Sequence, residues 1–291
     1  MSIGALIEQH GSPFYSMEFF PPKDRADWPA FLETVDRLRA LNPLFASVTY
    51  GAGGSTQDNT LEITRRIAAS GLPTMTHLTC VGANGASLRE FLDKMREGGV
   101  HDVLALRGDL PRGKTQADWL NAEFRHAADL VRFVRREAPD MGVAVAGYPG
   151  PHPESPSLSS DRQFTLQKVQ AGAEFVVTQL FFDVREYFDL VKYLRMHDVQ
   201  VPVVPGILPV QSLESIRRVL SLCGANIPGK LYLELEAAHE KGGAEAVREV
   251  GLQFAVRQIR RLLDGGAPGI HLYTLNRAEL CLRLAQEVKL S

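Results

Sequence analysis

Short apolar, β-branched runs alternate with amphipathic helical stripes along almost the whole chain, and this alternation is what most restricts its fold. The runs cover 14–20, 45–50, 74–79, 103–106, 142–147, 175–182, 201–207 and 270–274. They are too continuously apolar to keep one face wet, which fits parallel strands covered on both sides. Between them, sets such as Phe31, Leu32, Val35 and Leu38 recur at helical spacing. Asp27 and Asp183 are placed to cap helices, Ser87-Leu88-Arg89-Glu90 has capping-box spacing, and Gly51, Gly71 and Gly98-Gly99 end elements. The alternation breaks over 228–264, which reads as two consecutive helices separated by Gly242-Gly243. Eight repeats in 291 residues predict an α/β protein, a (β/α)8 TIM barrel with extra helices inserted before the eighth strand, as one domain over 1–291. An open doubly wound sheet would need fewer strands or more chain.

The composition suits a globular protein with no polyanionic partner. Net charge is -2 with acids and bases evenly spread, so no nucleic-acid binding is expected, and Arg132, Arg135 and Arg136 read as a solvated helix face. Cys80, Cys223 and Cys281 lie far apart and read as reduced thiols of a cytoplasmic protein. No run is long and apolar enough to span a membrane, and residues 1–11 lack the charged and apolar segments of a secretory leader.

In such barrels chemistry sits at the C-terminal ends of the strands. Here those ends carry Glu18, Thr49, His77, Arg107 with Asp109, Tyr148, Gln179 and Tyr273, while the N-terminal halves are mostly apolar. Glu18 stands in Met17-Glu18-Phe19-Phe20, which Pro21-Pro22 brings to a stop. Loss of water there would raise its pKa and make it a proton donor near neutral pH; an edge carboxylate paired with a Lys or Arg is the other reading. His77 equally reads as a hydrogen-bonded core histidine, Gln179 as a partner for a buried backbone group, and Asp109 as a partner of Arg107. Gly51-Ala52-Gly53-Gly54 lacks the third glycine of a dinucleotide fingerprint and reads as a loop that lets a ligand approach backbone. Glu18, His77, Asp109 and His152 show no metal-ligand spacing, so no metal is expected.

The motifs Glu18-Phe19-Phe20-Pro21-Pro22, Ser47-Val48-Thr49-Tyr50-Gly51, His77-Leu78-Thr79-Cys80, Leu106-Arg107-Gly108-Asp109, Tyr148-Pro149 with His152-Pro153-Glu154, Thr178-Gln179-Leu180-Phe181-Phe182-Asp183, Pro205-Gly206-Ile207-Leu208-Pro209 and Tyr273-Thr274-Leu275-Asn276-Arg277 run in order along nearly the whole chain. Together they resemble the methylenetetrahydrofolate reductase family. The resemblance implies a FAD-containing barrel that reduces 5,10-methylenetetrahydrofolate to 5-methyltetrahydrofolate by ping-pong hydride transfer from NADH or NADPH. It implies Glu18 as the acid that protonates folate N10 and Asp109 as the carboxylate that stabilises the 5-iminium cation. It implies Gln179, Tyr273 and Arg277 on the folate side, and Thr49, His77, Arg107, Gly108, Asp109, Tyr148, His152, Asp161 and Lys168 on the flavin side. The chain departs from some members at Phe164 and Gln167, near the flavin's adenosine end, and at Val219, where a substrate-stacking Phe can stand. The chain ends just after the barrel's last helix, so the resemblance carries no expectation of feedback by S-adenosylmethionine. Another barrel flavoenzyme of the proline dehydrogenase kind, or a non-catalytic folate- or partner-binding subunit, are the rival readings, and a protein electron donor is the rival to a nicotinamide. A homo-oligomer is expected, joined through apolar residues on the helices of 231–263.

Overall fold

A computed structural model describes residues 1–49, 57–109 and 122–290. Among them are nine strands: β1 (Phe14–Phe19), β2 (Phe45–Val48), β3 (Thr74–Thr79), β4 (Asp102–Leu106), β5 (Gly142–Gly147), β6 (Phe175–Thr178), β7 (Val203–Val204), β8 (Gly206–Ile207) and β9 (Gly269–Tyr273). All pair in parallel, in the order β7-β6-β5-β4-β3-β2-β1-β9-β8. The two ends of this order are one stave. Proline brings no N–H to the ladder, so Pro205 splits the expected seventh strand into β7, which pairs with β6, and β8, which pairs with β9. The Pro205 carbonyl still accepts from the His271 amide at 2.9 Å, so the sheet nearly closes on itself as the expected α/β barrel.

The helices between the strands are α1 (Ile3–His10), α2 (Trp28–Arg39), α3 (Gln57–Ala69), α4 (Gly85–Glu97), α5 (Ala127–Glu137), α6 (Leu158–Gln170), α7 (Val184–Met196), α8 (Leu213–Cys223), α9 (Gly229–Asp264) and α10 (Ala278–Glu287). Their apolar faces and the outward side chains of the strands form the main core, in which Met17, Phe19, Val48, Val103 and Val145 meet Phe31, Leu92, Val134 and Ile259. The expected pair of helices before the last strand is α9, bent where Gly242 and Gly243 leave helical geometry. Gly243 has φ +60°, which few residues but glycine adopt readily.

Several boundaries differ from the sequence reading, each for a local reason. Asn84 rather than Ser87 caps α4: its Oδ1 accepts from the Ser87 amide at 2.9 Å, and Ser87 Oγ accepts from the Asn84 amide at 3.2 Å. Ser157 caps α6, its side chain accepting from the Ser160 amide, so the helix begins ahead of the 161–171 stretch that its sequence suggests. The strand expected to reach 182 ends at Thr178, because Phe182 turns out to Phe254 and the Phe181 carbonyl accepts from Gln258 at 2.7 Å. Helix α1 was not anticipated. Ser2 caps it, Gly11 at φ +68° ends it, and Ile3 and Ile7 plug the N-terminal end of the barrel against Phe14, Phe45, Met75 and Phe175. In α9, Leu231, Leu235, Val247, Leu252, Val256 and Ile259 are buried within the chain, and Leu233 is left 65% exposed, so most of the apolar surface expected to join copies is already covered. Among the described residues no helix is long and apolar enough to cross a membrane.

Candidate functional site

Inside the barrel the chemistry changes along the axis. The layer resting on α1 is apolar: Phe14, Phe45, Met75, Leu104 and Phe175. Two residues further along β1, β2, β3 and β9 come Ser16, Ser47, His77 and His271, all buried. One more step along β1 and β9 brings Glu18 beside Tyr273. The polar residues thus gather toward the C-terminal ends, as a barrel active site requires.

Glu18 is 5% exposed. Its Oε2 lies 3.2 Å from His77 Nε2 and 3.8 Å from His271 Nε2. The nearer contact is out of line for a hydrogen bond, so His77 Nε2 is a buried nitrogen with no aligned partner. Burial acts to raise the Glu18 pKa, but the two imidazoles outweigh it and hold the carboxyl at about 2. This overturns the expectation of a raised pKa. Alternation along β1 sends Met17 and Phe19 outward into the core while the carboxyl points inward at the histidines. The partners are imidazoles, not the Lys or Arg of the rival reading.

A tight turn after β9 holds the end of β1. Leu275 and Asn276 have φ of 46° and 56°, strained for residues with a side chain. Asn276 keeps them there by accepting from the Phe20 amide at 3.0 Å and donating to the Phe20 carbonyl at 2.6 Å. Thr274 Oγ1 donates to the Glu18 carbonyl at 2.6 Å. Arg277 follows, exposed on the rim. Half-buried Tyr273 reaches across the mouth to donate to the Thr178 carbonyl at 2.7 Å, and Thr178 Oγ1 accepts from the Gly206 amide at 2.9 Å. A Cβ at Gly206 would lie 2.3 Å from the Thr178 carbonyl and 2.5 Å from the Tyr273 ring, so only glycine fits beneath it.

A second polar group lies on the β4–β6 side. The His152 ring meets Tyr148 edge-on at 4.7 Å, and its amide donates to Asp161 Oδ2 at 2.5 Å. Lys168 donates to the Ala146 carbonyl, and burial lowers its pKa to about 8 against the pull of Asp161. Arg107 pairs with Glu154 at 2.6 Å. Gly108 has φ +84° and passes close to Thr79. Gln179 accepts from the Leu180 amide at 2.8 Å, the backbone-satisfying role weighed for it, and also meets Tyr148. Thr49, half-buried, donates its amide to the Phe19 carbonyl at 2.9 Å. Asp109 is exposed. The Gly51-Ala52-Gly53-Gly54 loop lies outside the described residues. Among the described residues no three His, Cys, Asp or Glu side chains gather as metal ligands. A cavity of about 470 Å³ lined by Phe182, Phe254, Arg185, Arg257 and Arg261 lies on the outer flank and shares no residue with either group.

The model of the family described as methylenetetrahydrofolate reductase matches residues 3–289. The chain belongs to this family. It is 37% identical to "Methylenetetrahydrofolate reductase (NADH) 1" of Arabidopsis thaliana over 93% of this chain and 47% of that one. It is 39% identical to "Probable methylenetetrahydrofolate reductase (NADPH)" of Caenorhabditis elegans over 94% of this chain and 42% of that one. The chain thus spans about half the length of these relatives. The 5,10-methylenetetrahydrofolate reductase of Pectobacterium carotovorum subsp. carotovorum is 35% identical over 95% of this chain and 90% of its own. Among solved structures, an uncharacterized protein from Clostridium thermocellum that binds two copies of 5-methyl-5,6,7,8-tetrahydrofolic acid shares the fold with a TM-score of 0.67 at 13% identity, over 98% of this chain and 97% of that one. In this barrel the sequence reading gave no site role to His271, Ser16, Ser47 and Thr178. A signal was present: Ser16 and Glu18, like His271 and Tyr273, are two apart in strands and so share the inward face.

Proposed function

We propose that the chain, as one catalytic domain, reduces 5,10-methylenetetrahydrofolate to 5-methyltetrahydrofolate, with reducing equivalents from NADH or NADPH passed through FAD in a ping-pong cycle. The observation that carries the reading is Glu18, a carboxylate buried between two imidazoles at the mouth of the barrel. Membership of the family supports the substrate and product, and relatives named for NADH and for NADPH keep both donors open.

The mouth fits FAD. Arg107 and Lys168 bring positive charge for a pyrophosphate, and Asp161 lies beside Lys168 and orders the amide of His152. Gly108, at positive φ with Thr79 where a Cβ would stand, sets the turn that carries Arg107 and Asp109 to the mouth. Thr49, His77, Asp109 and Tyr148 would complete the contacts, and His77 Nε2 has a hydrogen bond still to make. Bound there, FAD supplies two-electron hydride transfer to the folate.

The chain's own residues handle the proton. Opening the folate's five-membered ring breaks the bond from the methylene carbon to N10, leaves the electron pair on N10 and requires a proton there. In the free protein Glu18 is ionised, so it must take up a proton before it can act as the acid. Glu18 takes that proton from solvent at the mouth as the folate binds and delivers it to N10. The Asp109 carboxylate stabilises the 5-iminium cation until hydride reaches its carbon. Gln179, Tyr273 and Arg277 hold the folate.

Anaerobic stopped-flow absorbance tests the reading by mixing the flavin-loaded protein separately with NADH, NADPH and methyltetrahydrofolate. Bleaching by a nicotinamide and by methyltetrahydrofolate is expected. Glu18→Gln should keep the nicotinamide half-reaction and slow the folate one by about 10²–10⁴-fold. Survival of both half-reactions would remove Glu18 from the role, and a protein that stays colourless after FAD is added would overturn the flavoenzyme reading.

A further inference from the structure

His271 is the one fully buried histidine in the barrel interior, and the mechanism above leaves it unused. Its Nδ1 lies 2.9 Å from Ser16 Oγ. Its Nε2 lies 3.4 Å from Ser47 Oγ and 3.8 Å from Glu18 Oε2. The ring stacks on Phe45 with centroids 5.9 Å apart at 18°, and Tyr273 meets it edge-on at 5.5 Å. Its amide is tied to the Pro205 carbonyl at 2.9 Å. Ring, backbone and both nitrogens are therefore held.

We propose that His271 is the positioning residue of the candidate acid: anchored on Ser16 and Ser47, it faces Glu18 from inside the barrel and couples the carboxyl's proton to its own. This rests on the reading of Glu18 as the proton donor. The groups that face the ring are few. Glu18 comes from β1, His77 stands across from β3 on the same carboxylate, and Tyr273 follows on β9. Ser47 from β2, with Pro205 and Gly206 from the split stave, bring no charge. An opposite charge within about 4–6 Å in a site this dry changes proton affinity by about 1–3 units. The coupling is reciprocal: an ionised Glu18 favours the imidazolium, and a protonated His271 disfavours a proton on Glu18. The two groups bind protons as a unit, so the pH at which Glu18 holds its proton depends on His271. No bond to carbon forms or breaks at His271.

The test compares pH–rate profiles of the two half-reactions in the flavin-loaded full chain, wild type against His271→Asn. With one imidazole fewer beside a buried carboxyl, Glu18 keeps its proton to higher pH. The alkaline limb of the folate half-reaction should therefore move up by about 1 unit relative to that of the nicotinamide half-reaction in the same protein. A readout independent of turnover is the histidine Cε1–H NMR titration, in which Glu18→Gln should lower the midpoint of the buried histidine by about the same amount. Ser47→Ala keeps the ring and loosens only its Nε2 side; it should move the limb in the same direction, and it carries the test if His271→Asn does not fold. A limb unmoved in these variants, or a His271 titration indifferent to Glu18→Gln, would make His271 a structural core residue and overturn the proposal. Absence of any folate half-reaction in the wild type would instead overturn the functional reading, while the NMR coupling would still decide this one.

Discussion

Glu18 lies between Met17 and Phe19 in the chain, yet in space its neighbours are His77 and His271. That difference reverses its acid–base behaviour and makes a prediction about stability. Its folded pKa of about 2 is below the ordinary 4.5, so folding favours the ionised form. The stabilisation is fully present above pH 4.5 and is lost as pH falls toward 2. Urea unfolding followed from pH 6 to pH 2.5 should show wild type losing more stability than Glu18→Gln over that window; parallel curves would mean that the imidazoles do not hold the carboxylate. At this scale the sequence made Glu18, His77, Gln179 and Tyr273 legible, because polar side chains at the ends of apolar strands are conspicuous. It did not expose His271, since a lone histidine inside an apolar strand has the same appearance whether it serves the site or only the core.

Strands and turns decide how these side chains are aimed. The stave broken at Pro205 leaves room for Tyr273 to cross the mouth, and Gly206 is where the crossing is tightest. Gly206→Ala would force its methyl into the Thr178 carbonyl and the Tyr273 ring. It should destabilise the protein by about 1–3 kcal/mol, read as the shift in urea midpoint, and raise KM for the folate more than for the nicotinamide. A variant with an unchanged midpoint would show that the tyrosine is free to move aside. The helices were legible from their periodicity but not their first residues. Asn84 and Ser157 compete with nearby Ser87 and Asp161 for the cap, and the winner depends on how the preceding loop arrives.

At the scale of the whole molecule the barrel has a polar end and a plugged one. The plug, α1, is joined to β4 through the Ile3 amide, which donates to Asp102 at 2.8 Å. Burial raises the Asp102 pKa to about 6 from 3.8, so here folding favours the protonated form. Its contribution is fully present below pH 3.8 and is lost as pH rises through about 6. Asp102→Asn keeps an acceptor for Ile3 and removes the charge; it should match wild type near pH 4 and exceed it by up to about 3 kcal/mol near pH 7.5, measured by thermal and urea unfolding. A variant less stable at both pH values would show that the ionised carboxylate holds the plug. The plug itself was not legible, because eight residues from Ile3 to His10 are too few to declare a periodic face before the barrel supplies their partners. By itself the sequence determined the alternation of strands and helices, and with it the barrel and the polar strand ends, since apolar periodicity is a local property that any stable packing must satisfy. The tertiary structure alone decided the register in which β9 lies beside β1, that His271 meets Glu18 there, and that the carboxyl's proton affinity falls instead of rising. Electrostatic interaction depends on distance through space, and in a closed barrel that distance is set by strand order and stagger, which no single stretch of chain contains.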